Sequence, residues 1–195
     1  MKKVCFLSVY FLFFVVKVNA QWVEIENDKL YDNYREIQTS YIKLICGYDM
    51  YLTAVQNIES DYIDYFINIV TEYNLSQNDI LLFKLTNGEI LKLTANSVSR
   101  TEYKKNISPT LSNILWGTGE YQVSTKYIYT ATFSLSESEL KRLELGITVA
   151  RISYYDTYQE RCWRRDKIGK FIKQLHTLIE ERFSQPFGGN LYEGL

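Results

Sequence analysis

The sequence has 195 residues, of which 46% are hydrophobic and 23% charged, with nine Gly, two Pro and a formal net charge of −1. This balance excludes an intrinsically disordered chain, and the low Gly and Pro content excludes collagen-like and low-complexity polymers. The length is that of a single domain with a sizeable hydrophobic core.

The first 20 residues have the parts of a secretory signal peptide. Lys2 and Lys3 precede the apolar run Val4–Val16, and Val18-Asn19-Ala20 places small or β-branched residues where a signal peptidase requires them. The apolar run is too short to span a bilayer as a helix. We therefore expect cleavage after Ala20, export to the periplasm or the extracellular space, and no transmembrane anchor in the cleaved protein.

Cleavage would change the charge balance of the protein. It removes three lysines and no acidic residue, so that 19 basic residues stand against 23 acidic ones and the net charge becomes −4. Dedicated nucleic-acid-binding domains usually carry a basic excess. The sequence therefore predicts no nucleic-acid partner.

Cleavage also leaves two cysteines, Cys46 and Cys162. In an oxidising compartment they could form a disulfide that closes a long loop. The alternative is two separate buried thiols that pack as small hydrophobic residues. The sequence leaves both alternatives open.

β-Rich segments dominate the first part of the expected domain, residues 21–185. We predict strands over Thr39–Cys46 and Met50–Asn57, joined by a turn at Gly47-Tyr48-Asp49. The segment Asp61–Tyr73 fits the period of a strand and that of a helix, and its β-branched and aromatic content favours a strand.

The clearest predicted hairpin is Ile80–Ala95. With a three-residue loop ending at Gly88, Leu81 pairs with Leu93 and Phe83 pairs with Leu91. This register places the apolar side chains on one face and the polar ones on the other, whereas a slip of one residue would mix them. Gly88 then takes the left-handed position of a type I turn followed by a bulge.

A long loop and a long strand are predicted next. Arg100–Gly119 shows no sustained period, which predicts a surface loop of the kind that sometimes carries specificity. Glu120–Leu135 alternates apolar and polar residues, which is typical of a strand with one wet face. The alternation puts Tyr121, Tyr127 and Tyr129 on the inward face.

A short helix over Glu137–Leu145 is predicted from its local signals. Ser136 is the expected N-cap, Glu139 completes a capping box, and Gly146 ends the helix. The next segment, Ile147–Tyr155, has apolar residues on both faces and is predicted as a central strand.

The last predicted element is an amphipathic helix over Lys167–Phe183. Its apolar residues occupy about a third of the helix circumference, which suits a helix that covers one face of a sheet. The segment Pro186–Leu195 is predicted as a flexible tail.

No recognised catalytic or cofactor motif is present: HExxH, GxSxG, CxxC, P-loop and GxGxxG patterns are all absent. The single histidine, His176, lies at the margin of the apolar stripe, where a packing role is favoured over a catalytic one. The catalytic alternative, a nucleophilic pair of His176 with Cys46 or Cys162, would depend on the fold alone. We therefore expect no enzymatic activity, no metal and no cofactor.

A run of basic residues marks the start of the last helix. Its members are Arg161, Arg164, Arg165, Lys167, Lys170 and Lys173. Positive charge at a helix N-terminus opposes the helix dipole. Either the run binds an anionic surface, glycan or partner, or its members pair with acidic residues elsewhere in the domain, which is the simpler interpretation.

Aromatic residues near this run and in the predicted loop add candidate contacts. Trp116 beside Gly117 is the strongest candidate for an exposed aromatic residue, whereas most tyrosines suit a half-buried strand. The predicted ligand or partner contacts are Trp116, Tyr155, Tyr158, Arg161, Arg164 and Arg165.

Three segments together carry a resemblance to a group of proteins. The hairpin DILLFKLTNGEILKLTA, the capped helix in FSLSESELKRLELG, and the strand ITVARISYY with its closing helix resemble small exported bacterial proteins of unknown function. The resemblance covers Asp79–Phe183 without the long loop. Its motifs are structural, so it implies a fold and no catalytic residue.

The sequence therefore predicts one β-rich α+β domain, in which an antiparallel sheet carries one short capped helix and a C-terminal amphipathic helix packed on it. The expected function is a non-enzymatic binding or structural module of the cell envelope, with an envelope protein or a glycan as partner. The alternatives are a carbohydrate or small-ligand binding protein that uses loop and surface aromatics and, more remotely, a hydrolase.

We predict that the exported protein begins at Gln21, because the apolar run and the small residues before that position direct signal-peptidase cleavage there. Mass spectrometry of the exported protein checks the N-terminal residue. Recovery of the intact segment Met1–Ala20 on the exported protein would contradict this prediction.

Overall fold

The structure, a computed structural model, describes residues 24–60, 62–107, 122–154 and 157–185. The predicted signal peptide, 1–20, and the predicted tail, 186–195, lie outside the described residues. The elements in chain order are β1 (Ile25–Leu30), β2 (Tyr34–Thr39), β3 (Ile42–Ile45), β4 (Tyr48–Asn57), β5 (Ile63–Thr71), β6 (Ile80–Leu85), β7 (Ile90–Thr94), β8 (Ser97–Ile107), β9 (Gln122–Leu135), α1 (Glu137–Glu144), β10 (Ile147–Tyr154), β11 (Thr157–Cys162) and α2 (Ile168–Ser184).

The strands form two antiparallel sheets. The larger, curled sheet has the order β1-β2-β4-β5-β9-β8, with β3 beside β2 on the same edge of β4, and the smaller sheet has the order β11-β10-β6-β7. Helix α2 packs against β4 and α1. The predicted class, a β-rich α+β fold with a capped short helix and a packed C-terminal helix, is confirmed.

Two successive strands, β2 and β3, pair with the same edge of β4, and the chain breaks its strand pairing between them. Strand β2 pairs with the second half of β4 and β3 pairs with the first half. At the break, the buried Thr39 hydroxyl accepts a hydrogen bond from the backbone N–H of Leu52 at 3.0 Å. This side chain replaces a missing ladder bond, which lets the strand turn without leaving a buried donor unsatisfied.

The predicted turn between these strands was placed too late. Tyr48 and Asp49 belong to β4, and Tyr48 is fully buried. The chain reverses at Cys46 and Gly47, where Gly47 has φ = 81°. A side chain on Gly47 would also meet the ring of Tyr73, so the reversal requires glycine for both conformation and space.

The hairpin β6–β7 has the predicted register. Leu81 pairs with Leu93 and Phe83 pairs with Leu91, and all four side chains are buried. Gly88 has φ = 89°, as the expected turn requires. The prediction succeeded because the turn and both strands are adjacent in sequence and one face is buried.

The predicted long loop Arg100–Gly119 is wrong in its first part. Residues Ser97–Ile107 form β8, which pairs with β9 from Ser97 opposite Thr132 to Ile107 opposite Gln122. Its charged residues hide the strand period because neither face of an edge strand must be apolar. The remainder, 108–119, lies outside the described residues.

The predicted inward face of β9 holds for only part of the strand. Ala131, Phe133 and Leu135 are buried, while Tyr127 and Tyr129 are only half-buried. Strand β5 pairs with β9 only from Tyr129 onward, so the earlier residues have β8 as their one neighbouring strand. Tyr121 lies outside the described residues.

The helical predictions and the predicted central strand are confirmed. Ser136 and Glu139 form the capping box of α1, and Gly146 after its end has φ = 118°. Strand β10 lies between β11 and β6. Along α2, Ile172, Leu175 and Ile179 are fully buried within one hydrophobic cluster that includes residues of both sheets and α1.

An ion-pair cluster fastens the C-terminal end of α2 to the curled sheet. Asp28 on β1 accepts two hydrogen bonds from the buried Arg35, at 2.8 and 2.9 Å, and one from Arg182 of α2 at 2.5 Å. Burial alone would raise the pKa of Asp28, but its bonds to the two arginines outweigh that effect and hold the pKa below its ordinary value.

Leu175→Ala is expected to lower the free energy of unfolding by about 2–5 kcal/mol, because it opens a cavity under α2. Urea unfolding measures the change, with the exposed Thr177→Ala as the control on the same helix. A loss within about 0.5 kcal/mol would mean that the stripe is not packed in solution.

Asp28→Asn is expected to lower the free energy of unfolding by about 3–5 kcal/mol at neutral pH, because two arginines lose a shared buried carboxylate. The folded pKa lies below the unfolded value of about 3.9, so the stabilisation is complete above that value and is lost as the pH falls through the folded pKa. The difference between wild type and variant should therefore shrink on acidification below about pH 4.

Unfolding curves recorded across this pH range measure that difference. The exposed Asp32→Asn serves as the control for the loss of one carboxylate. A difference between wild type and Asp28→Asn that stays constant on acidification would contradict the assignment to this ion-pair cluster.

Candidate functional site

Four of the six predicted contact residues lie on β11 or on the segment that directly follows it. Tyr158 and Arg161 lie on β11, the edge strand of the smaller sheet, and Arg164 and Arg165 lie between β11 and α2. All four are exposed. Trp116 and Tyr155, the other two, lie outside the described residues.

These arginines belong to a run of exposed cations along the end of β11 and the start of α2, which we call the basic face. It consists of Arg161, Arg164, Arg165, Lys167, Lys170 and Lys173, all of them exposed. Within the described ranges, none of the six forms an ion pair with a carboxylate. Among the described residues, the structure therefore gives no support to the simpler interpretation of the basic run, which is pairing with acidic residues elsewhere in the domain.

The one acidic residue inside the basic face is committed to the backbone. The Asp166 carboxylate accepts hydrogen bonds from the N–H groups of Gly169 at 2.8 Å, Lys170 at 3.1 Å and Ile147 at 2.9 Å. Its charge therefore caps α2 and joins the helix start to β10. This cap explains how a helix that begins with lysines is tolerated.

The start of α2 is also held by close backbone packing. A side chain on Gly169 would come within 2.7 Å of the Gly146 Cα and of the Leu143 carbonyl oxygen. Only glycine lets the first turn of α2 lie this close to the end of α1. The lysines of the basic face therefore extend from a fixed helix start, with Lys170 and Lys173 on the side away from the buried stripe.

Arginine–aromatic stacks order the side chains of β11. The Arg161 guanidinium lies 5.4 Å from the ring centre of Trp163, and its Nη1 donates to the Leu44 carbonyl of β3 at 3.4 Å. Arg151 lies 4.3 Å over the ring of Tyr158 and pairs with Glu160. Tyr158 remains 59% exposed, so part of its surface is available to a ligand.

A cleft separates β11 from β3. Its volume is about 450 Å³, and it is lined by Lys43, Ile45, Cys46, Gln159, Glu160 and Arg161. Lys43 is a cation that sequence reasoning missed, because it lies far from Arg161 in the chain and no local pattern marks it. The cleft adds this exposed amino group to the border of the basic face.

Both cysteines are free and exposed in the structure. The alternative of two buried thiols is therefore wrong, and pairing of Cys46 with Cys162 on oxidation stays a prediction. Partial desolvation and the nearby Glu160 carboxylate raise the pKa of the Cys162 thiol. A thiol with a raised pKa is protonated at neutral pH, which is the opposite of what an activated nucleophile needs.

His176 is buried between the two helices. Its Nδ1 lies 2.5 Å from Oε1 of Glu144 on α1, and its ring meets Tyr65 edge-on at 5.2 Å. The side chain therefore connects α1, α2 and β5. Neither cysteine is among its contacts, so the structure gives no support to a Cys–His pair.

Three further findings concern the chemistry and the relatives of the chain. Across the described ranges, no group of three or more His, Cys, Asp or Glu residues is placed to hold a metal ion. No helix in that part of the chain has the length and hydropathy to cross a membrane. No protein-family model, curated protein or solved structure matches the chain.

Proposed function

We propose that this chain is an exported, non-enzymatic binding module of the cell envelope and that it holds an anionic glycan on the basic face. The observation that carries the proposal is the set of six exposed cations without a carboxylate partner among the described residues. The chain as a whole has a net charge of −1, so this surface does not follow from a basic composition.

The arrangement of charge favours an extended ligand over a compact one. Arg161 lies near the end of β11, Arg164 and Arg165 follow in the bend, and the lysines continue along the first turns of α2. Cations placed along such a path can contact successive anionic groups of a polymer. Neighbouring like charges along this path repel one another, and a bound polyanion removes that repulsion.

The aromatic residues favour sugar rings among extended anions. Trp163 lies under Arg161 next to the bend, and Tyr158 offers a second ring, which is exposed, on the other face of β11. Aromatic rings offer apolar faces that pack well against other flat or apolar surfaces while their polar edges stay in water. The expected leader supports the location, because envelope glycans lie on the far side of the membrane that a signal peptide crosses.

The test is binding of dextran sulfate by the purified protein, measured by isothermal titration calorimetry, with uncharged dextran as the matched neutral polymer. We expect binding of dextran sulfate that weakens as salt is raised, because exposed charges are screened over about 8–10 Å at physiological ionic strength. The triple variant Arg164→Gln, Arg165→Gln, Lys170→Gln should bind at least about tenfold more weakly, at roughly 1 kcal/mol per cation near an anionic surface.

The control variant removes three exposed lysines outside the basic face, Lys29→Gln, Lys92→Gln and Lys104→Gln, and should bind as the wild type does. Equal losses of affinity for dextran sulfate in both triple variants would show that the overall charge, and not the basic face, binds the polymer. Binding of dextran with no preference for its sulfated form would overturn the anionic ligand and favour recognition by surface aromatics. Absence of binding to either polymer would overturn the glycan proposal.

A further inference from the structure

Strand β8 is an edge strand of the larger sheet. It is the outermost strand in the order β1-β2-β4-β5-β9-β8, and it pairs with β9 over its full length without a register shift. No strand among the described residues pairs with its other side. A long edge without bulge or proline presents a row of backbone donors and acceptors that can accept another strand.

The exposed charges of this edge alternate in sign along one face. Arg100, Glu102 and Lys104 lie two residues apart, so their side chains point to the same side of the sheet. All three are exposed, and within the described ranges none of them forms an ion pair. Arg100 lies with its guanidinium 4.2 Å from the ring centre of Tyr127, which keeps it beside the edge.

We propose that β8 pairs antiparallel with β8 of a second copy of this chain, around a twofold axis at Thr101. In this register Thr101 lies opposite Thr101 of the partner subunit, and Arg100 lies opposite Glu102 of the partner subunit. Twofold symmetry creates this ion pair twice. Opposite charges directly across an antiparallel pair stabilise it, and like charges destabilise it.

The same charges explain why the pairing is selective. A foreign strand would have to present an acid opposite Arg100 and a cation opposite Glu102, whereas a second copy presents both in the correct order. A neighbouring twofold register, centred on Tyr103, would also place Glu102 opposite a cation. It would bring together two copies of the cluster in which Tyr103 and Lys126 share Glu72, and this crowding disfavours it.

The interface consists of one strand from each copy and the side chains beside it. Such an area is at the small end of specific protein interfaces. We therefore expect a reversible dimer whose dissociation constant lies in the range of about 1 µM to 1 mM, and not a permanent one.

Sedimentation velocity over a concentration series tests the proposal, with far-UV circular dichroism to establish that each variant is folded. The wild type should shift from monomer to dimer as its concentration rises. Arg100→Glu and Glu102→Arg should each abolish the shift, because each places like charges opposite each other. The double variant Arg100→Glu, Glu102→Arg should restore the shift, because the two charges have changed places and opposite charges again lie across from each other.

Lys104→Glu is the matched control, since it reverses a charge on the same face of the same strand but lies opposite Val98 of the partner subunit. It should keep the wild-type dimerisation. A wild type that is monomeric up to about 1 mM would overturn the proposal. Failure of the double variant to restore the dimer would overturn the register at Thr101. Loss of dimerisation in Lys104→Glu but not in Arg100→Glu would overturn it as well.

Discussion

Burial of the apolar stripe of α2 is the interaction on which the rest of the structure depends. Ile172, Leu175 and Ile179 are fully buried in the cluster that also contains residues of both sheets and of α1. Two sheets that are antiparallel and mostly locally paired need a further element to share one core. The helix supplies that element, because its stripe can contact several strands at once.

Two aspartates hold the ends of this helix in different ways. Asp28 forms an ion pair with Arg182 near the C-terminal end, and the Asp166 carboxylate accepts hydrogen bonds from backbone N–H groups of the first turn. The acid near the start of the helix is therefore bonded to the backbone and, within the described part of the chain, forms no ion pair with the lysines around it. A basic surface without local carboxylate partners follows directly from this division of roles.

Sequence reasoning was most accurate where the partners of an interaction are close in the chain. The register of β6–β7 and the capping box at Ser136 are local features with one favourable arrangement each. It was least accurate where the partner is remote. Nothing near Lys43 indicates that it lines a cleft with Arg161, and nothing near Asp28 indicates that Arg182 will reach it.

Sequence reasoning did not identify four strands, β1, β2, β8 and β11, and three of them, β1, β8 and β11, are edge strands. Strand β2 is internal, but its buried face carries Arg35 and Thr39 beside Ile37, so it lacks an apolar alternation. Strand β7 is an edge strand too, yet it was predicted, because it follows a tight turn and buries Leu91 and Leu93. The difference is whether one face of the strand enters the core. An edge strand without a buried face keeps its backbone pairing and lacks the alternation from which strands are predicted.

The absence of a required apolar pattern in these edge strands also bears on function. Because no apolar pattern is imposed on β8 and β11, their positions can carry Arg, Glu, Lys and Tyr at little cost to folding. Arg161 on β11 belongs to the basic face, and Arg100 with Glu102 gives β8 its self-complementary charge order. Surfaces suited to recognition therefore lie on the elements that contribute least to the core, and for the same physical reason those elements are the hardest to predict from sequence.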